Sequence, residues 1–318
     1  MRILKFGGKS LETLEKTQKI CKYIKKIYKN DRKIIIIVSA MGNTTNDLLE
    51  MVKNYNPEKH SKRDLDALLS TGETLSSSVF SIILNSMGVP AKSFQSWQIK
   101  IKTKGDFQNS LITEIEKAQI CDCLNSNTVA VVAGFQGVND LNEITTLGRG
   151  GSDTTACAFG AVFQTNVELY SDFDGIFAGD PRSANYKKLK RISLNTLDEV
   201  TNCGSKIVSN RAVKLAKENN FSILLKSSSE PCKKGSVASG IESNTVSIIE
   251  KNYLCELLVV ASSETKLKFV VKNVYLWLNN YKLYNLTIKN KIISLIINQA
   301  DKNEILEILN KKLKLLKK

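Results

Sequence analysis

The chain has 318 residues, 42% of them hydrophobic, which is enough for one large domain and a smaller one. Its net charge of +15 makes nucleic acid a ligand to consider, but the sequence holds no zinc-finger, RNP or basic-helix pattern, so we expect no nucleic-acid partner. The single histidine, His60, excludes zinc and iron sites that need two or more histidines.

Strands and helices alternate through the first 240 residues. The predicted strands span 2–6, 33–38, 128–133, 166–170 and 221–225, and the predicted helices span 11–29, 64–86, 110–124, 153–163, 195–201 and 205–219. The strand at 33–38 carries four consecutive isoleucines without alternation, which is typical of a strand buried on both faces of a parallel sheet. We therefore predict an α/β protein, a three-layer α/β/α sandwich with a mainly parallel central sheet.

A smaller α+β module is predicted after a polar loop that ends near residue 245. Its strands span 254–260, 283–289 and 291–298, and its helices span 264–279 and 300–316. The predicted domains are therefore 1–248 and 249–318. The lysine-rich end of the last helix is interpreted as a solvated face rather than a membrane contact.

The sequence favours a cytoplasmic protein with no membrane partner. No window approaches the roughly 20 apolar residues of a membrane span, and the N-terminus lacks the pattern of a secretory signal. The seven cysteines are scattered and fit no framework of paired spacings, which is typical of a reducing compartment.

The first glycine-rich segment, Lys5-Phe6-Gly7-Gly8-Lys9-Ser10, directly follows the N-terminal strand. Gly7 and Gly8 let backbone N–H groups approach an anion, and a lysine supplies positive charge. A P-loop is excluded, because this motif needs a glycine at position 3 and the chain has Ile3 there. Taken alone, the segment fits a structural turn as well as a phosphate site.

The second segment, Gly148-Arg149-Gly150-Gly151-Ser152-Asp153, opens a predicted helix. Arg149 can bind a carboxylate through two hydrogen bonds, and the glycines allow close backbone approach. Asp153 at the helix start would lie near bound phosphates or a metal. A plain N-cap explains Ser152 or Asp153 but not the glycines around the arginine, so the segment favours a binding site.

The third segment, SDFDGIFAGDPR at 171–182, follows a predicted parallel strand. Loops at the carboxyl ends of such strands are where open α/β sheets bind ligands. Its Asp174-Gly175 pair would by itself be an ordinary turn.

Together, the segments KFGGKS, LGRGGSDTTA and SDFDGIFAGDPR resemble the motifs of the aspartokinases, which belong to the amino acid kinase superfamily. Two further segments, SAMGNTTN at 39–46 and LSTGE at 69–73, fit the same family. The resemblance implies transfer of the ATP γ-phosphoryl group to the β-carboxylate of L-aspartate, giving 4-phospho-L-aspartate. This is the first step towards lysine and diaminopimelate, threonine and methionine, and the resemblance does not distinguish among these products.

The resemblance also implies roles for individual residues. It assigns catalysis to Lys5 and Asp153; aspartate binding to Thr45, Glu73, Arg149 and Ser152; and nucleotide binding to Lys5, Gly7, Gly8, Ser171, Asp172, Phe177, Arg182 and Lys206. ATP and Mg²⁺ are the implied cofactors, with Mg²⁺ on the phosphates, and no metal-ligating side chain is predicted. An ionised carboxylate is already a nucleophile, so no general base is needed.

The chain departs from the family at several positions. Lys9 stands where the family has threonine, either beside the phosphates or in solvent, and Ser171 and Phe177 replace threonine and tyrosine. The C-terminus has room for about one ACT-like module where the family usually has two, and we expect a homodimer through it. The alternative is a catalytically inactive kinase-like protein that binds nucleotide or amino acid and regulates a partner.

Overall fold

The computed structural model describes residues 1–177, 188–202, 207–240, 245–251, 254–289 and 291–315. The chain divides into two compact units. The first comprises Met1–Asp174 and Arg211–Gly235, and the second comprises Gly175–Asn210 and Ser236–Lys318.

The described residues form eighteen strands and ten α-helices. The strands are β1 Arg2–Phe6, β2 Ile34–Val38, β3 Ala91–Phe94, β4 Ile101–Lys104, β5 Leu111–Ile115, β6 Val129–Ala133, β7 Gln136–Val138, β8 Ile144–Thr146, β9 Val167–Ser171, β10 Ile176–Phe177, β11 Lys188–Leu189, β12 Arg191–Ser193, β13 Ile223–Ser227, β14 Ser236–Ser239, β15 Thr245–Lys251, β16 Leu254–Val260, β17 Leu283–Lys289 and β18 Ile292–Asn298. The helices are α1 Leu14–Tyr28, α2 Thr44–Val52, α3 Pro57–His60, α4 Lys62–Ser86, α5 Ala118–Asn125, α6 Gly151–Phe163, α7 Leu194–Asn202, α8 Asn210–Glu218, α9 Glu264–Trp277 and α10 Lys302–Leu315. Short 3₁₀ helices span Gly8–Leu11, Lys53–Tyr55 and Gln299–Asp301.

The first unit is built on a parallel sheet with strand order β13-β9-β1-β2-β6-β3. A second sheet of this unit has the order β5-β4-β7-β8. Every residue of β2 and β6 is fully buried, as expected for central strands covered on both faces. The predicted α/β architecture with a mainly parallel central sheet is therefore confirmed.

Helices cover both faces of this parallel sheet. On one face, Leu4 and Ile36 belong to a hydrophobic cluster to which α1 and α4 contribute. On the other face, Val167 of β9 lies so close to α6 that a Cβ on Gly160 would be 2.6 Å from it. Because side chains alternate along a strand, Lys5 shares the α6 face with Ile3, and this alternation determines which helix it meets.

The prediction of a helix over 110–124 is wrong in its first half. Residues 111–115 form strand β5, which pairs with β4, and the helix α5 begins only at Ala118. The segment is rich in β-branched residues, and Glu114 forms a cross-strand ion pair with Lys102 at 2.8 Å. Strand pairing therefore outweighs the weak helical pattern.

The second unit contains a four-stranded antiparallel sheet with order β15-β16-β18-β17. Its hydrophobic core draws on this sheet and on α9 and α10. The predicted strands and helices from residue 254 onward coincide with these elements to within a few residues. Strand β15 was not predicted, because its sequence follows directly on a polar loop. The ACT-like character of this module stays a prediction.

Helix α4 is, within the described ranges, the one helix long and apolar enough to cross a membrane by length and composition. Half of its most apolar window is buried inside the protein. Its buried residues include the acidic Asp66 and Glu73. These features favour a core helix.

Candidate active site

A cleft of about 510 Å³ opens in the first unit at the carboxyl ends of β1, β2 and β6. Its walls come from the residues that follow these strands, from α2 and α4, and from the segment 146–153. Seven of the residues singled out from the sequence line it: Lys5, Gly8, Thr45, Glu73, Arg149, Ser152 and Asp153. Residues more than 140 positions apart in sequence therefore meet at the sheet edge where α/β folds bind ligands.

Lys5 and Asp153 form an ion pair inside the cleft. The Nζ of Lys5 lies 2.7 Å from Oδ1 of Asp153, and the side chains are only 14% and 17% exposed. The pair follows from the fold, because Lys5 points to the α6 face of the sheet and Asp153 belongs to the first turn of α6. The ammonium group is thus held in a fixed position at the end of β1.

Glu73 places a buried carboxyl group in the cleft wall, with 3% of the residue exposed. Its Oε1 accepts a hydrogen bond from the backbone N–H of Ala40 at 2.9 Å, whereas Oε2 is buried with no partner among the described residues. Burial raises the pKa of Glu73 to about 7, opposed by the Ala40 hydrogen bond and the positive charge of Lys5. A cationic ligand would satisfy the free oxygen and favour the charged form.

The glycine-arginine segment shapes the start of α6. Gly148 and Gly150 have φ values of 74° and 71°, in the left-handed region that favours glycine. Gly150 is the N-cap and provides no side-chain hydrogen bond, so N–H groups of the first turn can bind an anion. Arg149 is exposed and forms no ion pair within the part of the chain that the structure describes. This end of the cleft is therefore suited to carboxylate or phosphate.

Asp66, which the motifs did not single out, holds two walls of the cleft together. It is fully buried, and its carboxylate accepts hydrogen bonds from the backbone N–H of Gln108 at 2.9 Å and of Thr146 at 2.7 Å. The hydroxyl of Thr146 donates a third at 2.8 Å, and burial raises the pKa of Asp66. One feature of the sequence could have marked Asp66. It lies two helical turns before Glu73, and therefore on the same side of the predicted helix.

Arg211 braces the same segment from α8. Its guanidinium donates to the backbone oxygen of Leu147 at 2.9 Å and of Ser110 at 3.1 Å. It also donates to Oδ1 of Asn109 at 2.6 Å. Leu147, the residue before Gly148, is therefore held by a charged donor. No local sequence motif predicts this contact.

Gln108 is a second cleft residue that sequence reasoning missed. It lines the cleft with a φ of 68°, and its Nε2 is buried with no partner in the described ranges. It lies in a loop just before a segment predicted as helix, and no pattern marked it.

The predicted nucleotide residues are described only in part. Gly7 follows β1, and Ser171 is the last residue of the adjacent strand β9. The N–H of Gly7 donates to the backbone oxygen of Tyr170 at 3.3 Å. Asp172 lies 3.7 Å from the Nζ of Lys9, an exposed pair. Phe177 belongs to the second unit, where it packs against that unit's hydrophobic core. The remaining two, Arg182 and Lys206, lie outside the described residues.

Among the described residues, no cluster of three histidine, cysteine, aspartate or glutamate side chains could hold a metal ion. The cleft instead combines cationic groups, a helix N-terminus and one carboxyl group with a free oxygen. Such an arrangement can bind a small zwitterion and a phosphate.

Comparison with known proteins agrees with this geometry. The model of the amino acid kinase family matches residues 1–227. The chain is 38% identical to an aspartokinase of Bacillus sp. (strain MGA3) over 230 residues, which cover 72% of this chain and 56% of that one. It is 37% identical to aspartokinase 2 of Bacillus subtilis (strain 168), also over 230 residues. The chain thus spans a little over half the length of the relatives it matches.

Solved structures of related fold include the aspartate kinase of Clostridium acetobutylicum, with a TM-score of 0.72 at 16% identity, covering 98% of this chain and all of that one. Aspartokinase III of E. coli, in complex with aspartate and ADP, gives a TM-score of 0.69 at 19% identity over 94% of this chain and 79% of that one. At these identities the likeness shows the fold alone.

Proposed function

This chain belongs to the amino acid kinase family, and from that premise we propose that it is an aspartate kinase, which transfers the γ-phosphoryl group of ATP to the β-carboxylate of L-aspartate. One observation carries the proposal. The same cleft holds the Lys5–Asp153 ion pair, the free carboxyl oxygen of Glu73 and the unpaired guanidinium of Arg149 among the described residues. These groups complement the ammonium and carboxylates of an acidic amino acid.

Glu73 and Arg149 would hold the acceptor. The buried Oε2 of Glu73 would accept from the substrate ammonium, with the hydroxyls of Thr45 and Ser152 lining the same cleft. Arg149 would bind a carboxylate through its planar guanidinium. The β-carboxylate is then positioned for reaction, which is the main contribution that a kinase of this type makes.

In the reaction, a β-carboxylate oxygen forms a bond to the γ-phosphorus. The bond from that phosphorus to the bridging oxygen breaks, giving 4-phospho-L-aspartate and ADP. Lys5 would stabilise the charge on the transferring group, and Asp153 would keep its ammonium in place. No proton has to be removed, because the carboxylate is ionised at neutral pH.

The nucleotide would bind as its Mg²⁺ complex, and the ion would offset the negative charge of the phosphates. Gly7, Gly8, Ser171 and Asp172 would surround it at the ends of β1 and β9. The family resemblance assigns nucleotide binding to Phe177, Arg182 and Lys206 as well, and these three assignments stay predictions from the sequence.

We also propose that residues 1–248 form the catalytic domain of a cytoplasmic homodimer and that residues 249–318 form an ACT-like domain through which it assembles. Supporting this, Phe269, Tyr275 and Leu276 of α9 are 47%, 61% and 70% exposed. A second copy would cover this apolar surface. Light scattering of the chain and of a Leu276→Lys variant tests the assembly, and a monomeric wild-type chain would contradict it.

The experiment that tests the proposed activity measures ADP formation with L-aspartate, with L-glutamate and with no acceptor. Hydroxylamine traps the acyl phosphate as a hydroxamate in parallel. We expect aspartate-dependent ADP and hydroxamate in equal amounts, lost in a Lys5→Met variant and kept in Lys19→Met, a change of an exposed lysine on α1. Nucleotide or aspartate binding without turnover would favour the inactive kinase-like alternative.

A further inference from the structure

Gln108 has an unfavourable backbone conformation at the edge of the cleft. Its φ of 68° lies in the left-handed region, where the Cβ of any residue other than glycine meets steric resistance. A hydrogen bond from its backbone N–H to the buried carboxylate of Asp66 holds it there. Its backbone oxygen also lies close to Gly148, since a Cβ added to that glycine would be only 2.8 Å from it. Strain of this kind concentrates at binding sites.

The side chain of Gln108 carries a second unfavourable feature. Its Nε2 is buried, and none of the described residues accepts a hydrogen bond from it. Leaving a buried donor unpaired destabilises a protein, and the great majority of buried polar groups therefore have partners. The positive φ and the unpaired amide of Gln108 together favour a binding role, in which a ligand would accept the missing hydrogen bond.

The position of Gln108 indicates which group of a ligand it would meet. It contacts the backbone at Gly148, next to Arg149, and lines the same cleft as Glu73. An amide nitrogen only donates, and the acceptors on an acidic amino acid are its carboxylate oxygens, because the ammonium has none. Arg149, which follows Gly148 in the chain and lines the same cleft, is also a donor.

We propose that Gln108 is a further substrate-binding residue, whose Nε2 donates a hydrogen bond to the same carboxylate of the acceptor that Arg149 binds. The inference rests on the proposed function. It explains why a strained glutamine, rather than glycine, occupies this loop, and why its amide has no partner within the described protein. A neutral donor next to Arg149 adds directional recognition without adding charge.

Two variants of Gln108 test the proposal. Gln108→Gly removes the amide and relieves the backbone, so its melting temperature should equal or exceed that of the wild type. Gln108→Glu keeps the shape but replaces the donor by a negative acceptor. We expect the KM for aspartate to rise roughly tenfold in Gln108→Gly and further in Gln108→Glu, with the KM for ATP unchanged.

Gln164→Gly is the matched control. Gln164 also has a positive φ, 48°, but it is exposed at the end of α6 and does not line the cleft. Its substitution relieves the same kind of strain and should leave the KM for aspartate unchanged.

A binding measurement separates this inference from the proposed function. Aspartate alone should raise the melting temperature of the wild type and of Gln164→Gly, and less so that of Gln108→Gly. Unchanged aspartate KM and thermal response in both Gln108 variants, with normal wild-type turnover, would overturn the inference alone. An equal rise in both KM values, or a lower melting temperature of Gln108→Gly, would assign Gln108 a structural role and overturn it too. A wild type that neither binds nor phosphorylates aspartate would overturn both proposals.

Discussion

Substitution of Glu73 by glutamine should abolish a loss of stability that the ligand-free protein undergoes as the pH rises from acidic to alkaline values. Glu73 is 3% exposed, and one of its oxygens accepts from the backbone N–H of Ala40. Glutamine keeps an oxygen for that hydrogen bond and cannot ionise. The wild-type side chain must carry a buried charge whenever it is deprotonated, which burial disfavours.

The magnitude follows from the pKa. Burial raises the pKa of Glu73 from an ordinary value of 4.5 to about 7 in the folded protein. The protonated carboxyl group of Glu73 therefore adds to the free energy of unfolding. This contribution is fully present below pH 4.5, is lost as the pH rises through about 7, and stays lost at higher pH. At about 1.4 kcal/mol per pH unit, the total is on the order of 3 kcal/mol, of which 2–3 kcal/mol falls between pH 5 and pH 8.

Urea unfolding of the wild type and of Glu73→Gln at pH 5 and pH 8 measures the effect. We expect the free energy of unfolding of the variant, relative to the wild type, to rise by about 2–3 kcal/mol between these pH values. Glu218→Gln changes an exposed carboxylate on α8 and should show no such rise. A Glu73 difference that is the same at both pH values would refute the reasoning, because it would mean that folding does not raise the pKa of this carboxyl group.

Three further substitutions address the rest of the cleft. Arg149→Ala should raise the KM for aspartate roughly 10- to 150-fold and leave that for ATP unchanged, since a hydrogen bond to a charged group contributes about 1.5–3 kcal/mol; an equal rise in both in steady-state kinetics would make the residue structural. Lys5→Met should lower kcat at least about 100-fold with little change in the KM for ATP; the reverse pattern would assign Lys5 to ground-state nucleotide binding. Asp66→Ala should lower the free energy of unfolding by about 1–3 kcal/mol, because the backbone N–H groups of Gln108 and Thr146 would lose their acceptor. Urea unfolding checks it against Asp122→Ala, a change of an exposed residue, and equal stability of the two variants would contradict it.

Local sequence pattern was sufficient where a segment's environment is uniform. The isoleucine run of β2 and the valine-rich β6 were predictable because central parallel strands are buried on both faces. The pattern failed at 111–115, where one face of a strand is exposed and its pairing with β4 decides the structure. It also missed the short strands of the second sheet, which depend on partners elsewhere in the chain.

The candidate site divides along the same line. Lys5, Arg149 and Asp153 lie in glycine-rich segments whose composition is unusual by itself, so they could be identified without a structure. Asp66, by contrast, accepts hydrogen bonds from Gln108, 42 positions away in the sequence, and from Thr146, 80 positions away. Neither end of such a contact is conspicuous in the sequence alone. Long-range polar contacts of this kind are set by the packing of the whole unit.

The arrangement of charges gives the cleft its selectivity under the proposed function. Lys5 is paired with Asp153, so its positive charge is largely balanced until a phosphoryl group arrives. Glu73 carries a pKa of about 7, so the ligand-free site avoids a permanent buried charge, and a substrate ammonium would favour ionisation. Arg149 has no ion-pair partner among the described residues, and its guanidinium would bind a carboxylate of the substrate. A simple dicarboxylate offers no partner to Glu73, and a neutral amine offers none to Arg149. We therefore expect both to bind less tightly than an acidic amino acid.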